Sequence, residues 1–233
     1  MIKFFRKIRQ NLLSEGKTGK YFKYAIGEIV LVMVGILLAL QVSNWNKNRQ
    51  DRVSEQKLLN SIHKDFLENK KQFDITKSIH QTHFSSLEKI LSLLPINGNK
   101  VSADSIAYYE SLIKSNTFTP YSSTVDLIVN SNSIQLIEND TLKGYLVSWK
   151  NVSIEYLEEE EYYYKLLNEL YFPFIIESFD LLNLNPLEMY SLKEYQNFVF
   201  MRRAYVRLII NAIEEEPIEN SIDEIIRLTN QKK

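Results

Sequence analysis

Two histidines have the spacing that metal or haem chemistry would need. His80 and His83 lie three positions apart, so on a helix their imidazoles share one face. A bound ion would need a third ligand and a carboxylate behind a ring nitrogen, and the Glu-x-x-His pattern that supplies one is absent. His63 lies about five helical turns earlier. The sequence therefore favours a polar layer, shared with Asn69 and Thr76, over a site that binds metal or haem.

An ionisable residue stands inside the most apolar stretch of the chain. Glu28 shares a helical face with Gly35 and Ala39, and small residues at this spacing permit close approach of a second helix. A carboxyl group on that face could bond across to a membrane partner. Alternatively, Glu28 extends to the nearby interface beside Lys23. Both interpretations remain open, and Glu28, Gly35 and Ala39 are the candidate contacts of a membrane helix.

Carboxylates and tyrosines cluster in residues 155–164, which invites a cation-binding interpretation. Consecutive residues on a helix point in different directions, however. The glutamates at 158–161 therefore cannot converge on one ion without help from another helix. We predict a solvated acidic face whose aromatic neighbours lie in an apolar seam.

The familiar catalytic motifs are missing from the sequence. The absence of cysteine excludes thiolate metal sites and cysteine nucleophiles. The chain also lacks a Gly-rich phosphate loop, a G-x-S-x-G elbow and an H-E-x-x-H zinc motif. The sequence therefore predicts no catalytic residue, no cofactor and a non-enzymatic function. The alternatives are a metal- or haem-binding protein that uses His80 and His83, or an enzyme of an unrecognised class.

Residues 24–42 are long and apolar enough to cross a membrane. At about 1.5 Å per residue they reach about 28 Å, close to the hydrocarbon thickness of a bilayer. Tyr24 marks one interface and Trp45 the other, where amphipathic rings prefer to lie. A cleaved signal peptide is the alternative, but no small-residue cleavage site follows. We predict an uncleaved transmembrane helix over residues 24–45.

Charge is distributed unevenly on the two sides of this stretch. Residues 1–23 carry seven Lys or Arg and one Glu, a net charge of +6, whereas the whole chain has a formal net charge of −1. Because Glu28 is the only charged residue of the span, residues 46–233 carry −6, which disfavours a nucleic-acid partner. The positive-inside rule places the basic tail in the cytoplasm. We predict a single-pass inner-membrane protein with a periplasmic C-terminal domain.

After the span, apolar residues recur at steps of three and four, the period of a helix with a heptad seam. The first seam consists of Leu59, Ile62, Phe66, Asn69, Phe73, Thr76, His80, His83, Leu87, Ile90 and Leu94. The second, which we expect to end at Pro173, consists of Leu142, Tyr145, Trp149, Val152, Tyr156, Glu159, Tyr163, Leu166 and Leu170.

A short helix is expected near residues 104–114, and a last long helix from Ser191 to about Pro217. Glu194 should form a capping box with Ser191, and Leu208 and Ile209 should point inward. Long helices with narrow seams bury them against one another. The predicted fold is all-α. It combines an N-terminal transmembrane helix with an extracytoplasmic antiparallel bundle of about four long, coiled-coil-like helices over residues 46–233.

The N-terminal region resembles a known family. An FFRKIRQNLL opening is followed by KYFKYAIGEIVLVMVGILLALQVSNWN. The YAIGEI start, the GILLALQ core and the NWN exit resemble those of uncharacterised single-pass membrane proteins from Bacteroidota, grouped as a domain of unknown function. The resemblance covers roughly residues 1–50, with a looser likeness in STVDLIVNSNSIQLIENDTLKGYL. It implies topology and source, and it carries no activity, cofactor or catalytic residue.

These observations together predict a membrane-anchored helical module for interaction, sensing or scaffolding in the cell envelope. One span cannot form a transport path alone, and the cytoplasmic tail is too short to be an output domain. The expected partners are the lipid bilayer, a second copy of the chain through the membrane helix, and an envelope protein.

Overall fold

The structure is a computed structural model that describes residues 18–94, 107–109, 111–112, 116–180, 182–183 and 186–230. Across these ranges the secondary structure is helical and no strand is present, which confirms the predicted all-α class for the described part of the chain. The residues group into two compact units, Met1–Glu55 and Gln56–Lys233. Of the predicted cytoplasmic tail, residues 1–17 lie outside the described residues.

Helix α1, Thr18–Ser92, is 75 residues long and contains the whole predicted transmembrane segment, residues 24–45. It includes no proline, which would remove a bond from its hydrogen-bond ladder, and it ends at Ser92. Its N-terminal part is long and apolar enough to span a membrane by length and composition, and none of its most apolar window is buried. The first unit therefore presents an apolar helix whose most apolar stretch is exposed.

In the second unit, the further elements follow in chain order. They are α2 (Ser123–Val129), a 3₁₀ turn (Asn132–Leu136), α3 (Asp140–Lys165), a π-helical turn (Leu166–Tyr171), α4 (Phe172–Ser178), α5 (Pro186–Ser191), α6 (Lys193–Glu215) and α7 (Ile218–Thr229). Residues 107–109 and 111 are also helical; the rest of the short helix predicted near 104–114 lies largely outside the described residues. Helix α6 ends just before Pro217, where the missing N–H of proline would interrupt it.

The predicted seam of α1 coincides with its buried face. Its buried members are Ile62, Phe66, Asn69, Phe73, Thr76, His80, His83, Leu87 and Ile90. Phe66 packs edge to face on Trp149 of α3, with ring centroids 4.8 Å apart, and Phe73 packs likewise on Tyr156 at 5.5 Å. Trp149 and Tyr156 are almost completely buried, so these aromatic contacts lie at the centre of the core.

Helices α1 and α3 run in the same direction, so the predicted antiparallel order fails for this pair. Their contacts advance together along both helices, from Phe66 with Trp149 to His80 with Glu160. Helix α7 runs opposite to α1. This follows from two contacts between them: His63 with Thr229 at one end, and Lys77 with Glu219 farther along α1.

The parallel order arises because the chain returns along α1 before α3 begins. Hydrogen bonds place successive residues of the connection beside earlier and earlier residues of α1: Ser111 beside Ser86, Asn116 beside Thr76, and Tyr121 beside Asn69. We call residues 116–121 the return segment. A short loop that joined α1 directly to α3 would have produced the antiparallel order that the seams alone suggest.

The second half of α3 and the π-helical turn bury the predicted seam only in part, since Tyr156, Tyr163 and Leu166 are buried as predicted. Glu160 and Leu167 are buried, whereas the predicted seam residues Glu159 and Leu170 are half-buried and exposed, respectively. Stepping by four and then three from Trp149 reaches Glu160 and Leu167, each one position after a predicted seam residue, whereas Tyr156 and Tyr163 belong to both rows.

The predicted end of this helix at Pro173 is wrong. The chain passes through the π-helical turn Leu166–Tyr171 and continues as α4. Pro173 falls in the first turn of α4. Because proline has no N–H, the helical hydrogen-bond ladder lacks one bond at this position, directly after the π-helical turn.

The start of α6 also differs from the prediction. Ser191 belongs to α5, and its hydroxyl donates to the Glu188 carbonyl at 2.8 Å. Leu192 is the N-cap of α6 and makes no side-chain cap bond, so the predicted capping box with Glu194 is absent. Ile209 is buried as predicted, but Leu208 is 46% exposed.

Glu219 joins α7 to α1 by two ion pairs. Its carboxylate accepts hydrogen bonds from Lys70 Nζ at 2.9 Å and from Lys77 Nζ at 2.5 Å. Partial burial by itself raises the pKa of Glu219, but the hydrogen bonds from Lys77 and Lys70 outweigh it and hold this pKa below its ordinary value. The ionised form of Glu219 therefore stabilises the folded state.

We predict that Glu219→Gln lowers the free energy of unfolding by about 1 kcal/mol at neutral pH. A carboxyl group whose pKa is lower in the folded state stabilises above its unfolded pKa, and this contribution is lost as pH falls through the folded value. The difference between wild type and variant should therefore disappear in acid. Urea denaturation of the full-length protein in detergent, followed by circular dichroism, measures it. Glu214→Gln, at an exposed position of α6, is the control, and a difference that persists unchanged in acid contradicts the prediction.

Candidate functional site

Glu160 of α3 is a fully buried carboxylate on which three elements meet. Its Oε1 accepts a hydrogen bond from the Tyr156 hydroxyl at 2.8 Å and lies 3.0 Å from His80 Nε2 of α1. Its Oε2 accepts from the backbone N–H of Phe118, in the return segment, at 3.0 Å. A buried carboxylate needs such donors because they replace the water it has lost.

The protons of this cluster can be assigned from its geometry. Burial, with a further contribution from the Glu160 carboxylate, raises the pKa of Tyr156 far above its ordinary value, so the phenol keeps its proton and donates. His80 donates to the carboxylate in the tautomer that carries its proton on Nε2. His80 Nδ1 is buried and has no hydrogen-bond partner among the described residues. The cluster is therefore a carboxylate held by three donors.

The two predicted candidate histidines do lie together. The rings of His80 and His83 are both buried, with centroids 6.2 Å apart and planes at 86°. His63 belongs to a different contact, in which its Nδ1 lies 3.0 Å from Thr229 Oγ1. In the described part of the chain, no group of three or more His, Asp or Glu side chains is arranged to hold a metal ion. What the described residues supply is one histidine–carboxylate pair.

The interpretation of residues 158–161 as a solvated face is wrong for Glu160. Glu158 and Glu161 are exposed, but Glu160 lies in the buried row between Tyr156 and Tyr163. The signal was present in the sequence. Counting by four and then three from Trp149 reaches Glu160, and a tyrosine four residues earlier stands where it can donate to that carboxylate.

The remaining polar residues of the α1 seam bind the return segment. Asn69 Nδ2 donates to the Tyr121 carbonyl at 3.2 Å, and its Oδ1 accepts from the Tyr121 N–H at 2.7 Å. Thr76 Oγ1 accepts from Asn116 Nδ2 at 2.9 Å. Backbone that belongs to neither helix nor strand must find other partners when it is buried. The polar layer of α1 provides them.

The candidate contacts of the membrane helix lie in the first unit, on α1. Gly35 and Ala39 are exposed and Glu28 is half-buried. A Cβ atom added at Gly35 would meet nothing within 4 Å. In the single chain, nothing covers this face at Gly35, so a second helix could approach it closely.

Sequence reasoning also missed Arg202 of α6, which is 5% exposed. Its Nη2 donates to the Leu112 carbonyl at 3.2 Å and to the Tyr163 hydroxyl at 3.0 Å. The signal was its position in the apolar row of α6, which is Tyr195, Val199, Arg202, Val206, Ile209 and Ile213. A charged residue in the middle of such a row points into the core, and its head group is then removed from solvent.

We predict that His80→Leu lowers the free energy of unfolding by about 2–4 kcal/mol, because Glu160 then stays buried with one donor fewer. Adding Glu160→Gln should recover part of the loss, since a neutral amide tolerates the missing donor better than a carboxylate does. Urea denaturation of the full-length single and double variants measures the coupling. His63→Leu is the control. Losses for His80→Leu and Glu160→Gln that simply add would show that the two side chains are not coupled.

Comparisons of the chain with protein-family models, with curated proteins and with solved structures give no match. Three features of the described residues bear on function. They are the exposed apolar segment of α1, the polar contacts between α1, Glu160 and the return segment, and the buried Arg202.

Proposed function

We propose that the chain is a single-pass inner-membrane protein whose helical domain is a non-enzymatic interaction or sensory module in the periplasm. The observation that carries the proposal is the exposure of apolar side chains in the first unit. Ile29, Leu31, Leu37 and Leu38 are each more than half exposed, together with most of their neighbours. Exposing such a side chain to water costs about 1.5–3 kcal/mol. Summed over the segment, this exceeds the usual net stability of a domain, about 5–15 kcal/mol, and a bilayer removes the cost.

The orientation follows from charge. Residues 1–23 carry a net charge of +6, and positively charged flanks stay in the cytoplasm. The acidic second unit then lies outside it. Within the membrane, the partners are the lipid bilayer and a second copy of the chain. The second copy would pack on the face of Glu28, Gly35 and Ala39, where small residues leave room for another helix.

The domain would act by contact with an envelope protein, and its responsive element is the polar part of the α1 seam with the return segment. Residues 69–83 of this seam lie between apolar ends that include Ile62 and Phe66 on one side and Leu87 and Ile90 on the other. Polar groups released from the return segment can bond to water, so their release costs less than exposing an apolar end. A partner could therefore displace the return segment without unfolding the bundle.

We predict that a reporter active only outside the cytoplasm will be active when fused after Lys233. The basic tail should retain the N-terminus inside, because translocating seven Lys or Arg residues is unfavourable. Protease added to spheroplasts should digest the second unit, and carbonate extraction should leave the intact chain in the membrane. A variant with Lys3, Arg6, Lys7 and Arg9 changed to Gln is the matched control and should reduce reporter activity. An inactive reporter with a protected C-terminal domain would reverse the assignment.

We also predict an uneven pattern of amide hydrogen exchange in the intact protein in detergent. Amides near residues 69–83 and those of the return segment should exchange faster than amides near Phe66 and Leu87, because polar contacts open at lower cost. Chemical crosslinking in native membranes should recover an envelope partner, and adding it should change exchange in these same residues. If residues 69–83 exchange as slowly as the apolar ends, the responsive element is assigned wrongly even where the topology holds.

A further inference from the structure

Arg202 carries a buried charge for which the described residues provide no counter-charge. Its guanidinium donates to the Tyr163 hydroxyl and the Leu112 carbonyl, and lies over the ring of Tyr171 with its carbon 5.0 Å from the centroid. Among the described residues, no carboxylate lies within 4.0 Å of it. The guanidinium cannot lose its proton in a protein. A buried cation normally pairs with an anion, since neutral acceptors and ring faces compensate only part of the lost hydration.

Arg202 lines a cavity of about 270 Å³. The walls are largely aromatic, and those that carry the argument are Tyr109, Tyr171, Tyr195 and Phe172. The cavity lies between α6, the π-helical turn and the short helical stretch at residues 107–109. It lies just below the usual size of drug-sized pockets, roughly 300–1,000 Å³, and so suits a small molecule.

Tyr109 provides a second, independent observation. Its side chain is 6% exposed, and its hydroxyl makes no hydrogen bond with the described residues. The ring stacks on Tyr190 with centroids 3.7 Å apart and planes at 9°, which holds it in place. Burial raises the pKa of Tyr109, so the hydroxyl keeps its proton and remains a donor. Within the described part of the chain, one cavity is thus lined by a cation that has no counter-ion and by a phenol donor that has no acceptor.

We propose that this cavity binds a small arylcarboxylate, with the carboxylate on Arg202 and the Tyr109 hydroxyl and the ring between the aromatic walls. The planar fork of arginine matches a carboxylate, and a phenol donor can bond to the same group. Arg202 is the single cation that lines the cavity among the described residues, which fits a monoanion. The aromatic walls supply faces and edges against which a flat apolar body packs. Such a ligand would bring the missing negative charge and fill the apolar volume at once.

The inference deepens the proposed function, since it names the ligand class of a sensory module. Its test does not depend on that function. Binding in detergent is independent of topology, so a failure of either idea can be told from a failure of the other.

The experiment is calorimetric titration of the full-length protein in detergent with four acids: benzoate, 4-hydroxybenzoate, phenylacetate and 3-phenylpropanoate. At least one should bind with a dissociation constant below about 1 mM and raise the unfolding temperature. Its carboxamide counterpart and acetate should each bind at least about tenfold more weakly, because one lacks the charge and the other lacks the ring. If none of the four acids binds, or if the amide or acetate binds as well as the acid, the proposal is overturned.

Two variants locate the site. Arg202→Lys keeps the charge but not the fork, and should weaken binding about tenfold or more. Tyr109→Phe keeps the stacked ring, removes only the hydroxyl, and should weaken binding between about twofold and tenfold. Tyr108→Phe is the matched control at the neighbouring position, outside this cavity, and should leave affinity unchanged. Equal affinities for Tyr109→Phe and Tyr108→Phe would overturn the assignment, even if Arg202→Lys fails to fold.

Discussion

One buried carboxylate, that of Glu160, needs hydrogen-bond donors, and the packing of the second unit supplies them. Glu160 is removed from water, and its two oxygens are satisfied from α1, from α3 itself and from the return segment. Each of the three elements thus replaces part of the hydration that the carboxylate has lost. The contact with Phe118 is made where the return segment runs back along α1, and α3 then runs parallel to α1. The parallel order and the donors of Glu160 therefore belong to one arrangement.

The polar layer of α1 follows the same logic. Asn69 and Thr76 would weaken an ordinary apolar seam, yet each matches a group of the return segment that has no regular partner. Polar side chains of a helix thus provide the hydrogen-bond partners of a segment that forms no regular secondary structure. Such contacts specify position more than they add stability, because a hydrogen bond made in the core replaces one made with water.

Much of the fold could be predicted from periodicity. The seam of α1 and its apolar segment are long, regular and free of proline, so local spacing alone identified both. The direction of α3 could not be predicted, because it depends on contacts between distant residues such as Tyr121 and Asn69. Glu160 and Arg202 were missed for a related reason. Charged residues are normally solvated, and only their position in a buried row indicated otherwise.

The π-helical turn Leu166–Tyr171 also has an evolutionary meaning. Such a turn is in effect one residue added to an α-helix, and each added residue turns everything after it by about 100° about the axis. Tyr171 and Phe172, at and after the turn, are walls of the Arg202 cavity, whereas Trp149 and Tyr156, before it, belong to the core. Losing one codon here would restore an unbroken helix, leave Trp149 and Tyr156 in register, and point a different set of side chains at Arg202. Relatives of this chain could therefore change the lining of the cavity through single-residue insertions and deletions, without altering the register of α3 before the turn.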